Sequence, residues 1–163
     1  MPAGSEISIY ALGGSQDEMQ LATVAQQMWS AIGIKLNIEQ IDKASRSAKF
    51  KTGDFQLTIS NWTNDIADPN EATSYFAYYP QVQSYRTGWQ NVEADKLYEA
   101  SQKEADPAKR AEQYGKIQDL FKQGAPITYL YESPYPVALS KKVNDFVQIP
   151  LGNNIFTATW LSK

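Results

Sequence analysis

The sequence predicts an α/β fold, a largely parallel mixed sheet with helices on both faces, and three observations carry that prediction. Over the first third of the chain, apolar residues alternate at a strand period, then recur at a helical period, then alternate again. The helical stretches are bracketed by cap and stop residues. The composition is that of a folded protein: 163 residues, 42% hydrophobic and 20% charged, enough for one sizeable core and too few for two full-size domains.

The elements follow in order. Glu6 to Leu12 places Ile7, Ile9 and Ala11 on one side and Ser8 and Tyr10 on the other, which reads as a strand. After a Gly13-Gly14 turn, Ser15 with Glu18 three residues on forms a capping box. Leu21, Val24, Ala25, Met28 and Ile32 then recur at helical spacing up to a stop at Gly33. Ile34, Leu36 and Ile38 alternate as a second strand, completing a βαβ unit. Asp42 caps a short helix ending near Gly53, and Phe55 to Ile59 closes the β-α-β-α-β series. Asp68-Pro69 opens a further helix followed by an aromatic patch, Tyr75, Phe76, Tyr78 and Tyr79. A helix from about Asn91 carries Val92, Leu97 and Tyr98. Another, from Asp106-Pro107 to Gly124-Ala125-Pro126, is expected to bury Ala111, Tyr114, Ile117 and Phe121. Short β-like runs at Ile127 to Tyr131, Pro136 to Leu139, Phe146 to Ile149 and Ile155 to Leu161 end the chain.

Composition also limits the chemistry. A net charge of −3 from 15 basic and 18 acidic residues, with the basic residues scattered, offers no electrostatic footprint for nucleic acid. The absence of cysteine and histidine removes Ser-His and Cys-His pairs, disulfides and the usual zinc ligands, so we expect no catalytic residues, no metal and no cofactor. No apolar run approaches bilayer length. Met1-Pro2-Ala3-Gly4-Ser5 lacks the basic flank and apolar stretch of a signal peptide and reads as an artificial boundary, with any export signal lying upstream.

The most informative stretch is Trp62-Thr63-Asn64-Asp65-Ile66-Ala67-Asp68-Pro69, directly after an apolar alternating run. In α/β sheets, ligands are met in the crevice outside the carboxyl ends of the strands. Asp65 there is either a partner for a cation or a loop acid bonding its own backbone, and Trp62 either a ligand wall or a core residue at a strand end. Asp68 is explained by its cap position. Gly13-Gly14-Ser15, between strand and helix, can hold an anion on exposed amides, although Asp17 and Glu18 oppose it. Tyr75, Tyr78, Tyr79, Tyr85 and Trp89 can line a broad pocket or fill a core.

Tryptophan, two residues, aspartate, two residues, acid, proline and a helix resembles the motif of the dipeptide- and oligopeptide-binding proteins of bacterial ABC importers, the family 5 extracellular solute-binding proteins. The resemblance is collinear over nearly the whole chain. Ile32-Gly33-Ile34 matches the family's turn into a strand, Gly88 to Leu97 its Gly-aromatic-x-Asn-x-x-x-Asp-x-Leu segment, and the Asp106 to Phe121 helix and Pro150-Leu151-Gly152 follow in family order. It implies a periplasmic-binding-protein-like lobe in which Asp65 receives a peptide's α-amino group and Trp62 shapes the pocket, with Thr63 and Asn64 also ligand-binding. It implies structural roles for Asn91 and Asp95. Dipeptide-selective relatives offer an arginine before the first helix; none lies between Ile7 and Trp29, and Arg46 and Arg86 read as solvated surface.

The resemblance divides the chain into a start at 1–5, a ligand-binding lobe at 6–146, and a segment at 147–163 that in relatives returns toward the other lobe. That last segment is expected to be mobile, repacked on this lobe or paired with a second copy. The implied partners are a peptide or peptide-like solute, the first lobe of the same protein and a membrane permease, in a periplasmic or extracytoplasmic, membrane-anchored setting. Two other readings stay open: a hydrolase using Asp65 with Asp68 or Glu71, and a sensing or interaction module whose interface is the aromatic patch.

Overall fold

Strand β1 (Glu6–Leu12) forms where the alternation predicts, burying Ile7, Ile9 and Ala11 and leaving Ser8 and Tyr10 only half-buried. In the computed structural model, which describes residues 4–82, 85, 87–149 and 154–163, this strand is the centre of the first of two units. One unit runs to Asn61 and takes in Tyr85, Thr87 and Gly88; the other begins at Trp62 and resumes at Trp89. Arg86, Pro150-Leu151-Gly152 and the first three residues of the 1–5 start lie outside the described residues.

In the first unit, α1 (Gln16–Ser30) links β1 to β2 (Lys35–Ile41), and α2 (Lys43–Thr52) leads to β3 (Leu57–Thr58). Both neighbours run parallel to β1, in the order β2-β1-β3. Because the two crossovers step to opposite sides of β1 with the same hand, their helices cover opposite faces. Side chains agree. Ala22, Ala25 and Trp29 of α1 pack on the Ile7, Ile9 and Ala11 face with Leu36, whereas Lys49 of α2 sits over the Tyr10 ring at 5.1 Å. Leu36 is 2% exposed, and its burial contributes about 2 kcal/mol. The predicted caps are made: Ser15 accepts from the Glu18 amide, Asp42 from Ala44 and Ser45, and Gly53 closes α2 at φ 68°.

Two expectations change here. Of the stripe read along α1, Ala25 packs on the core, while Val24, Met28 and Ile32 are 53%, 65% and 65% exposed. The helix turns its Met19, Ala22 and Trp29 side inward because small Ala22 lets α1 approach the sheet closely. Strand β3 is shorter than the predicted run, since only Leu57 and Thr58 pair with β1.

The second unit is mostly helical: α3 (Pro69–Phe76), α4 (Tyr79–Val82), α5 (Val92–Ser101) and α6 (Pro107–Gly124). Asn91 and Asp106 cap α5 and α6 as predicted. Ala77, Ala94, Tyr98, Tyr114 and Ile117 form the core, flanked by Tyr78, Trp89, Leu97 and Phe121. Ala111 and Val92 are exposed instead, on the outer sides of their helices. Buried Asp95 accepts a hydrogen bond from the Tyr79 amide at 3.0 Å, a structural role.

Neither Ile127 to Tyr131 nor Pro136 to Leu139 forms a strand, because no neighbour among the described residues offers them a ladder; Tyr129 is 81% exposed. The later runs make two small antiparallel pairs, β4 (Val143–Asn144) with β7 (Trp160–Leu161) and β5 (Val147–Gln148) with β6 (Asn154–Ile155).

Candidate functional site

The stretch from Trp62 to Asp68 is a loop with no regular structure, so side chains rather than a ladder hold its shape. Trp62 packs against Tyr75 and Phe76 of α3, ring centroids 5.0 Å away in each case, and its indole N–H donates to Asn64 Oδ1 at 2.7 Å. The Thr63 and Tyr135 hydroxyls share a hydrogen bond of 2.7 Å. Glu71 Oε2 accepts from the main-chain N–H groups of Asp65 (2.8 Å) and Ile66 (3.1 Å). At the far end Asp68 caps α3 through the Asn70 amide and takes two parallel hydrogen bonds from Arg110, at 2.9 and 3.0 Å. Those bonds, the guanidinium first and the amide second, hold the Asp68 carboxyl below the ordinary carboxylate range.

Within this frame the Asp65 side chain is exposed, and its carboxylate takes no hydrogen bond or ion pair among the described residues. The structure therefore brings Trp62, Thr63, Asn64 and Asp65 onto one braced loop. The backbone-bonded alternative for Asp65 is not the one it adopts: its amide is bound, its carboxylate is not. Trp62 is half-buried, with Asn64 fixing its ring edge.

The aromatic patch is not one surface. Tyr78 stacks on Tyr98 in the second unit's core and donates to Glu99; Trp89 meets Phe121 edge-on; Tyr85 belongs to the first unit, against Phe50. Tyr75 packs against Trp62.

In the first unit, the carboxyl ends of β1 and β3 meet where the strand order reverses. A carboxylate from the chain itself stands there. Glu18 accepts from the Leu12 amide at 2.6 Å and from Arg46 Nη1 at 2.9 and 3.0 Å, and Arg46 also donates to the Ile59 carbonyl at 3.0 Å. Arg46 is thus an interior residue, its side chain 13% exposed, because Glu18 and two strand ends call for a cation between them. The same carboxylate leaves the Gly13-Gly14 turn a poor anion holder.

Sequence reasoning missed the bracing by Arg110 and by Glu71. Asp68-x-x-Glu71 is a capping-box spacing and could have flagged Glu71; nothing local to Arg110 points 42 residues back to Asp68.

The family model described as bacterial extracellular solute-binding proteins, family 5 Middle, matches residues 2–84. The chain belongs to that family. Relatives agree with it. This family member is 27% identical over 145 residues to the probable D,D-dipeptide-binding periplasmic protein DdpA of Escherichia coli (strain K12), covering 88% of the present chain and 28% of that protein. Among solved structures, HbpA2 from Haemophilus parasuis superposes with a TM-score of 0.75 at 24% identity, over 99% of this chain and 33% of that one. The oligopeptide-binding protein AppA from Bacillus subtilis, in complex with a nonapeptide, gives 0.76 at 18% identity, over 97% and 32%. At these identities the structures show the shared α/β fold, and the chain spans about a third of their length.

Proposed function

We propose that this chain is one lobe of a non-catalytic binding protein that captures peptides, or related small solutes bearing an amine, for an ABC importer. In this reading Asp65 receives the ammonium group of the solute, Trp62 forms an apolar wall beside it, and Thr63 and Asn64 complete the contact. One observation carries the reading: the exposed Asp65 carboxylate is unspent, while the loop around it is tied at Trp62, Thr63, Glu71 and Asp68. A fixed, unpaired carboxylate gains strength as a cation partner once water is excluded. Relatives described as peptide-binding support the solute class.

The boundaries 6–146 for the lobe and 147–163 for a segment returning to another lobe belong to the same proposal. So do a first lobe elsewhere in the protein, a membrane permease and an extracytoplasmic, periplasmic setting. The relatives' greater length and the unladdered Ile127 to Leu139 stretch support a second lobe. The hydrolase reading is disfavoured because Asp68 and Glu71, its candidate second carboxylates, are held by Arg110 and by main-chain amides.

The test is calorimetric, with both lobes present. A short peptide should bind, its N-acetylated form should lose at least about tenfold in affinity, and Asp65→Asn should lose a similar factor, about 1.4 kcal/mol. Equal affinity of wild type and Asp65→Asn refutes the assigned role.

A further inference from the structure

Glu71 stands third in α3, where the usual partner of a capping box is the main-chain amide of the cap itself. It reaches past that amide. One oxygen, Oε2, accepts from two consecutive N–H groups, those of Asp65 and Ile66, six and five residues upstream. The first unit uses a similar device: Glu18, third in α1, passes over its Ser15 cap to the Leu12 amide, six residues back. There the carboxylate is shared with Arg46; among the described residues Glu71 has no ion pair, and its carboxylate accepts from the Asp65 and Ile66 amides.

We infer that Glu71 is the positioning residue for Asp65: by holding both amides it turns the main chain so that the Asp65 carboxylate faces outward, without itself touching the solute. The inference rests on the proposed role of Asp65. Main-chain amides bound to a carboxylate make strong, directional hydrogen bonds, and two on one oxygen fix both peptide planes. Without them, residues 65–67 would have no tie among the described residues between the Asn64 side chain, held by Trp62, and the Asp68 cap.

Two measurements on the 163-residue chain test this. In amide NMR spectra, the Asp65 and Ile66 N–H groups should exchange slowly with solvent in wild type and in Glu71→Gln, whose amide oxygen still accepts. In Glu71→Ala they should exchange at the rate of an open loop. Signals that ignore Glu71 in all three proteins overturn the positioning, whatever the chain binds.

The second measurement titrates trialanine at high concentration and follows the same spectra. Glu71→Ala should weaken binding about tenfold and Glu71→Gln about twofold or less. Equal loss in both variants would make Glu71 a charge partner of the ammonium group and overturn the inference. No perturbation of wild type by trialanine counts against the proposed function alone, since the exchange measurement decides the positioning without it.

Discussion

Arg110 lies 4.9 Å from the centre of the Tyr114 ring and grips Asp68 with two nitrogens, joining α6 to the start of α3. Because the folded carboxyl of Asp68 titrates below its unfolded value, the pair stabilises the fold above the ordinary carboxylate range. That contribution is lost as pH falls through the depressed folded value. Arg110→Met should therefore flatten the loss of stability seen below about pH 4 in urea titrations of wild type. The Glu18 and Arg46 side chains are more deeply set, 15% and 13% exposed. Removing one partner strands a charge inside the first unit, and Arg46→Met should cost about 3 kcal/mol, read from the urea midpoint of that unit. No sequence pattern announces either pair, because each joins residues far apart in the chain, 28 positions for one and 42 for the other.

Elements were legible where the signal is local. Ser15, Asp42, Asp68, Asn91 and Asp106 all cap the helices they were expected to cap, since a short polar side chain and the amides it serves lie within three residues. The buried side of α1 was not legible: two apolar stripes lie on neighbouring sides of one helix, and periodicity cannot say which meets the sheet. The end of α6 shows another limit. Gly124 reads as the stop, yet Ala125 takes the left-handed cap at φ 46°, and Gly124 is small because a Cβ there would collide with the Trp89 indole. Gly124→Ala should cost about 1–3 kcal/mol by overpacking, while Ala125→Gly should add about 1 kcal/mol, both measurable by thermal melts. The site was half legible. Trp62 and Asp65 stood out by motif, but their bracing by Asn64, Glu71 and Tyr135 depends on how the loop folds back.

For the whole molecule, the informative contrast is between β1, paired on both sides, and the stretch from Ile127 to Leu139, which has strand-like residues and no ladder. Hydrogen exchange should find the amides of Ile7 to Leu12 protected and those of Thr128 to Tyr131 open in this chain; on the proposed two-lobe reading, the latter should become protected in a protein that carries both lobes. The sequence could not reveal this, because β-propensity describes a residue's fit to a pleated surface and not whether a neighbour is present to form one. The exposed run Tyr129, Leu130 and Tyr131, next to half-buried Ile127, has the composition from which identical copies can stack edge to edge. Pro126 on one side and Glu132, Pro134 and Pro136 on the other interrupt it after five residues, short of the roughly six or seven of a steric-zipper segment. Those flanking residues stand where gatekeepers against such stacking are placed, a duty unrelated to any solute.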